Sequence, residues 1–203
     1  MSEALIDQAR VCIAVMMEDL EGEEDFMPFM TIRSRDSDRT LYVGMDMPGD
    51  NKDLVADTMT VLCATHRAAE VVFASVAWMV TKSNPASRTQ WVAPSKDPDR
   101  VETVFILEAK EDAMVTHTAP VTRENNAVRL GEWSSFPATA DVTGRFGDAI
   151  RMGMGWGRSI PPDLGAFIDT EMAEGRGERI ITGLTRTLRS ERTRLIAEMA
   201  SRN

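Results

Sequence analysis

Residues 71–80 read VVFASVAWMV and are apolar at odd and even positions alike, with Ser75 as the single polar residue. β-Branched and aromatic residues favour strands over helices. A strand with one face in water alternates polar and apolar side chains, whereas a strand that is covered on both faces does not. The stretch therefore predicts a central strand of a sheet, with protein packed against both of its faces.

The residues that follow this strand predict an antiparallel meander. Residues 83–100 contain three prolines and are predicted to form a long loop. Runs of β-branched residues bounded by turn residues then predict three further strands, over 101–109, 113–122 and 127–133.

The residues before the central strand predict two helices and a hairpin. Apolar side chains three and four apart predict a helix over 2–20 and a second helix that is capped by Asn51 and ends near His66, and a β-hairpin is predicted over 27–47. The predicted order is α-β-β-α-β-β-β-β. We therefore predict an α+β core domain over residues 1–136, with a single mostly antiparallel sheet of about five to six strands and two helices packed on one face.

The last third of the chain changes in character. Six glycines between 144 and 165 and the pair Pro161-Pro162 disfavour a regular helix. We therefore predict an irregular segment over 137–176, packed on the core. From Gly177 onwards apolar residues recur at helical spacing, which predicts a C-terminal basic amphipathic helix over 177–203.

The amino-acid composition excludes several classes of protein. The chain has 203 residues, 43% of them hydrophobic, and a net charge of −9, which excludes wholesale disorder and general attraction to polyanions. No apolar run approaches the roughly 18 residues that a membrane-spanning helix needs. The first residues lack a basic leader, so we expect a cytoplasmic protein without membrane contact. Cys12 and Cys63 are predicted to be core thiols, with a redox pair as the alternative.

Charge is distributed unevenly along the chain. Residues 176–203 carry seven arginines against three glutamates, whereas residues 18–25 contain six acidic side chains. The basic helix is predicted to pack on the body or on a second copy of the chain, with the acidic run as a complement. Arg186, Arg189 and Arg192 are its candidate partner-binding residues. The negative net charge disfavours nucleic acid as a partner. If nucleic acid binds at all, we expect it to bind only at this basic helix.

A glycine-rich stretch, GMGWGRS at 153–159, superficially resembles a phosphate-binding loop. It lacks the Gly-Lys-Ser/Thr ending, and its spacing differs from the G-x-G-x-x-G of dinucleotide-binding turns. Methionine and tryptophan give large, adaptable apolar contacts. We therefore predict a ligand or partner surface formed by Met152, Met154, Trp156 and Arg158, with a coil that covers the sheet as the alternative.

The chain contains two histidines, and no ligand pair has the close spacing of a metal site. We predict neither a metal nor a cofactor. His66 is explained by the end of a helix, where positive charge is stabilising. His117, with Glu102 or Glu132 on neighbouring strands, is the candidate polar site for proton transfer.

No motif in the sequence names a reaction. The leading hypothesis is a non-catalytic binding or regulatory module that acts through protein contact and self-associates as a homo-oligomer. The alternative is a small-ligand-binding protein or an enzyme. Its pocket is then expected between the sheet, the 83–100 loop and the 144–165 segment.

Overall fold

The computed structural model describes residues 4–21, 24–46, 51–80, 96–110, 113–125, 127–138 and 140–200. Five helices and seven strands are assigned within these residues. In chain order they are α1 (Leu5–Glu18), β1 (Phe29–Ser34), β2 (Thr40–Gly44), α2 (Lys52–Thr65), β3 (Ala68–Val80), β4 (Arg100–Lys110), β5 (Ala113–Glu124), β6 (Ala127–Leu130), β7 (Ser134–Pro137), α3 (Ala140–Gly157), α4 (Pro162–Ala173) and α5 (Gly177–Ala200). Most of the predicted 83–100 loop lies outside the described residues.

The strands form one antiparallel sheet in the order β2-β1-β3-β4-β5-β6. β7 also pairs with β5, at a different part of that strand from the part that pairs with β6. The prediction of an α+β fold with a single antiparallel sheet is confirmed. The last predicted strand, 127–133, corresponds to β6, and β7 follows it as an additional short strand.

The central strand β3 is covered on both faces, as its sequence predicts. Val72 belongs to a buried cluster with Ile13 of α1. Phe73, the next residue, belongs to a second cluster with Met59 of α2 and Ile150 of α3. The helices α1 and α2 therefore lie on opposite faces of the sheet, and the expectation that both cover one face is wrong. An amphipathic pattern shows that a helix has a buried side, but it does not show which face of the sheet that side covers.

The 137–176 segment is largely helical, so the prediction of irregular structure there is wrong. It contains α3 and α4, joined by a short connection. Gly144, with φ of 52°, interrupts α3 near its start. Pro162 stands at the first position of α4, where proline is compatible with a helix because that backbone N–H has no partner within the helix.

Glycines inside α3 serve close packing against α2. A Cβ atom on Gly153 would lie 2.4 Å from the Thr60 carbonyl oxygen and 2.6 Å from Cys63 Cβ. One turn later, a Cβ on Gly157 would lie 3.1 Å from the Ala64 carbonyl oxygen. The two helix backbones therefore approach so closely that a side chain has no room at Gly153.

Two glycines on α3 make a matched test of this packing. We expect Gly153→Ala to lower the free energy of unfolding by about 1–3 kcal/mol, because α3 must move away from α2. A Cβ atom on Gly155 would have no heavy atom within 4 Å. Gly155→Ala should therefore raise stability by about 0.5–1 kcal/mol through helix propensity. Urea unfolding of both variants measures the difference, and equal effects would contradict the close approach.

Candidate functional site

A cleft of about 350 Å³ lies where the β1–β2 hairpin meets α4 and the end of α2. Its walls combine apolar side chains with a small number of polar groups. The lining residues are Ile32, Ser34, Arg39, Thr40, Leu41, His66, Asp169, Met172 and Ala173. Apolar walls with a few convergent polar groups are typical of small-molecule sites.

The polar centre of the cleft wall is the pair His66 and Asp169. His66 immediately follows α2, and its side chain is only 5% exposed. Its Nδ1 atom contacts the Asp169 carboxylate, so Nδ1 carries the proton and donates it. Within the described residues, His66 Nε2 is buried and has no hydrogen-bond partner.

Burial lowers the pKa of His66, because the charged imidazolium loses hydration, and the opposing effect of Asp169 is smaller. The imidazole is therefore neutral at neutral pH, with its Nε2 lone pair free to accept a proton or a hydrogen bond. A carboxylate that holds the other ring nitrogen is the arrangement found behind histidine bases. The sequence explained His66 as a helix end; its position two residues before a strand buried on both faces was the signal for its burial.

Arg67 fixes the walls of this cleft. It has a φ of 46°, which is rare for residues other than glycine, and is 9% exposed. Its guanidinium donates to the Asp36 carboxylate in the hairpin turn and to the Gly157 carbonyl oxygen at 3.1 Å. The Arg67 carbonyl accepts from the backbone N–H of Arg35 at 3.0 Å. The hairpin, the end of α2 and the end of α3 are therefore held together beside the cleft.

In the predicted polar site, His117 does not contact the carboxylates that were expected to be its partners. Glu102 forms a bidentate contact with Arg123, at 3.1 and 2.9 Å from its Nε. Glu132 is exposed and is not among the described contacts of His117. The imidazole instead contacts Glu108, Ser135 and Arg10. Sequence reasoning missed these three residues, because the strand register and the position of α1 decide which side chains meet.

The predicted surface residues Met152, Met154, Trp156 and Arg158 lie on different sides of α3, because successive side chains point in different directions around a helix. Met152 and Trp156 lie on one side of α3 and are 44% and 45% exposed. Met154 is 3% exposed and belongs to the core. Met154 and Arg158 lie in the wall of a second cleft, of about 220 Å³, between α3 and the β4–β5 end of the sheet. Residues 83–95, predicted to border such a pocket, lie outside the described residues.

The predicted partner residues on α5 make contacts within the chain. Arg192 donates to the buried Asp57 of α2 at 2.8 Å, and Arg189 contacts Asn51 at 3.5 Å. Burial raises the pKa of Asp57, while the neighbouring arginines lower it. Arg186 is exposed. Arg192 therefore attaches α5 to α2, which was predicted as one of the alternatives for this helix.

The two cysteines lie in different environments. Cys63 is fully buried in α2, and burial raises its pKa to about 12. Cys12 is exposed on α1, so the expectation that both are core thiols is wrong for Cys12. Because α1 and α2 lie on opposite faces of the sheet, the alternative of a redox pair is not supported either.

The described residues contain no group of three or more His, Cys, Asp and Glu side chains arranged to hold a metal ion. Within the same part of the chain, no helix combines the length and the apolar character needed to cross a membrane.

Comparison with protein-family models, curated proteins and solved structures found no match for this chain. Its function is therefore inferred from the geometry of the sites themselves.

The neutral state of His66 has a consequence for stability. A histidine whose pKa is lowered on folding binds its proton more tightly in the unfolded chain, so acid favours unfolding through this group. As the pH falls below the ordinary histidine value of 6.5, the protein should lose more stability than a His66→Gln variant does. Urea unfolding at about pH 7.5 and about pH 5.5 measures this difference. A smaller loss in the unsubstituted protein would show that the protonated His66–Asp169 pair is the folded form.

Proposed function

We propose that the protein binds a small organic acid in the cleft between the β1–β2 hairpin and α4. One observation carries this proposal: a buried, neutral histidine oriented by Asp169 lies in the wall of a cleft that also contains Arg39. Perturbed titratable groups in clefts are enriched at functional sites.

The lining defines the chemistry of the ligand. The Arg39 guanidinium suits a carboxylate, because it offers several N–H donors in one plane. His66 Nε2 accepts a hydrogen bond, so it favours a ligand with a hydroxyl or N–H group. Ile32, Leu41 and Met172 offer contact to an apolar part. The volume of about 350 Å³ lies at the small end of the range for ligand sites.

Access to the histidine requires a local adjustment. His66 Nε2 is closed to solvent, although the side chain lines the cleft. Met172 is the most flexible apolar side chain of the wall, because methionine has an unbranched chain. We therefore expect a wall side chain such as Met172 to move when a donor group reaches Nε2.

Ligand-observed NMR with 4-hydroxybenzoate tests the cleft. This probe carries a carboxylate, an apolar ring and a hydroxyl donor. We expect it to bind more tightly than benzoate, which lacks the hydroxyl, and than phenol, which lacks the charge. Arg39→Gln should weaken its binding about tenfold, the effect of one charge-assisted hydrogen bond.

A matched control keeps the test specific. Arg35 lies on the same hairpin but is not among the lining residues, so Arg35→Gln should leave binding unchanged. Equal effects of the two substitutions would show that the probe is attracted by general surface charge and not by Arg39 in the cleft. Absence of saturation transfer for all three probes would contradict the proposal for this class of ligand.

A second candidate function is protein contact through the helical layer, with self-association as its simplest form. Five large apolar side chains on α3, α4 and α5 are between 40% and 53% exposed. They are Met152, Trp156, Leu164, Phe167 and Leu184. Tryptophan, methionine and phenylalanine are enriched at protein interfaces, which supports this hypothesis.

Light scattering after size exclusion tests the second candidate. If the helical layer mediates a dimer, Trp156→Glu and Phe167→Glu should each produce a monomer, because an unpaired charge in an interface is costly. Val15→Glu is the control, since Val15 is 56% exposed on α1, across the sheet. A full-length monomer at all concentrations tested would exclude self-association and leave contact with a different protein.

A further inference from the structure

Three side chains of the sheet form a connected chain of hydrogen bonds on the α1 face. His117 of β5 stands directly opposite Ser135 of β7 and diagonally beside Glu108 of β4. Ser135 Oγ lies 2.7 Å from His117 Nδ1, and Glu108 Oε2 lies 3.0 Å from His117 Nε2. His117 is 6% exposed, whereas Ser135 is exposed. A serine, a histidine and a carboxylate in this sequence of contacts form the arrangement of an activated nucleophile.

The Arg10 contact identifies the tautomer of the histidine. Its guanidinium lies 3.1 Å from the same Nδ1 atom. Arginine can only donate hydrogen bonds, so Nδ1 must be the unprotonated, accepting nitrogen. Nε2 then carries the proton and donates it to the Glu108 carboxylate. The single lone pair of Nδ1 is shared by the Arg10 N–H and the Ser135 hydroxyl, so this nitrogen is the one that can take the hydroxyl proton.

We propose that Ser135 is a nucleophile that accepts an acyl group from activated carboxylic esters, with His117 as its base and Glu108 as a positioning residue. This goes beyond the proposed organic-acid cleft, which lies on the other side of the sheet. Because Ser135 is exposed while His117 is buried beneath it, an ester reaches the oxygen atom from solvent and the base stays shielded.

The reaction balances with water as the second substrate. Ser135 Oγ attacks the acyl carbon as its proton passes to His117 Nδ1. The bond between the acyl carbon and the ester oxygen breaks, and the leaving alcohol takes the proton from Nδ1. Water then attacks the acyl-serine and gives a proton to the same nitrogen, which returns it to Ser135 Oγ as the carboxylic acid leaves.

Arg10 supplies the charge needed at the reacting oxygen. Protonation of Nδ1 ends the hydrogen bond from Arg10, so this donor becomes available to the oxygen anion of the tetrahedral intermediate. Among the described residues, Arg10 Nε is a second buried donor without a partner. The guanidinium is held over the Trp133 ring at 5.2 Å. The Glu108 carboxylate offsets the positive charges of Arg10 and protonated His117.

Two probes test the nucleophile on the full-length protein. A fluorophosphonate should modify Ser135 at one equivalent per chain, which peptide mapping by mass spectrometry locates. p-Nitrophenyl acetate should release a burst of one equivalent of p-nitrophenolate. Ser135→Ala should abolish both signals, and His117→Asn should slow acylation by about 100-fold or more, the usual effect of losing a general base.

The neighbouring serine gives a matched control. Ser134 is exposed on the same strand, and a strand points successive side chains to opposite faces. Ser134→Ala should therefore leave labelling unchanged, and thermal unfolding of each variant confirms that it is folded. Glu108→Gln should lower the rate constant of acylation about tenfold without changing the ester concentration at half-saturation, which separates positioning from binding.

The labelling results test whether Ser135 is the nucleophile. Labelling of the folded protein at Ser135, lost in Ser135→Ala and kept in Ser134→Ala, supports the proposal. Absence of labelling, or labelling that survives in folded Ser135→Ala, overturns it. Because the organic-acid cleft contains none of these residues, 4-hydroxybenzoate binding in the same variants tests the proposed function separately.

Discussion

Burial of β3 on both faces is the constraint from which the architecture follows. Residues 71–74 are all completely buried, so each face of the sheet needs a helical layer. The two layers are unequal, since α1 covers one face and α2 with the later helices covers the other. The organic-acid cleft forms on the side of the larger layer, while the nucleophile candidate, the exposed Ser135, lies on the α1 side of the sheet.

The cleft depends on a second interaction, the buried guanidinium of Arg67. A left-handed backbone at the end of a helix normally favours glycine. Arg67 adopts it and gains hydrogen bonds to Asp36 and Gly157, which join the hairpin turn to the helical layer. His66, the preceding residue, ends α2 and contacts Asp169 of α4 in the cleft wall.

Local patterns predicted β1 to β6, α1, α2 and α5, because the sequence shows the apolar spacing of helices and the β-branched composition of strands. They failed where distant partners decide the structure. Gly153 was interpreted as a helix breaker, but its function is set by Thr60 on another helix. His66 was correctly placed at a helix end, yet its partner Asp169 lies 103 residues away in a segment predicted to be irregular. His117 was selected as a candidate, while its contact with Ser135 depends on a strand pairing that no local pattern contains.

The attachment of α5 has a consequence for local unfolding. This helix packs mainly against α2 and α4, and its buried side chains include Ile181 and Thr185. Its ion pair with Asp57 closes the contact. Opening of α5 therefore exposes little of the sheet core, so it can act as a separate cooperative unit whose amide hydrogens exchange before those of β3. Asp57, hydrated on such opening, would bind and release protons like an ordinary surface carboxylate.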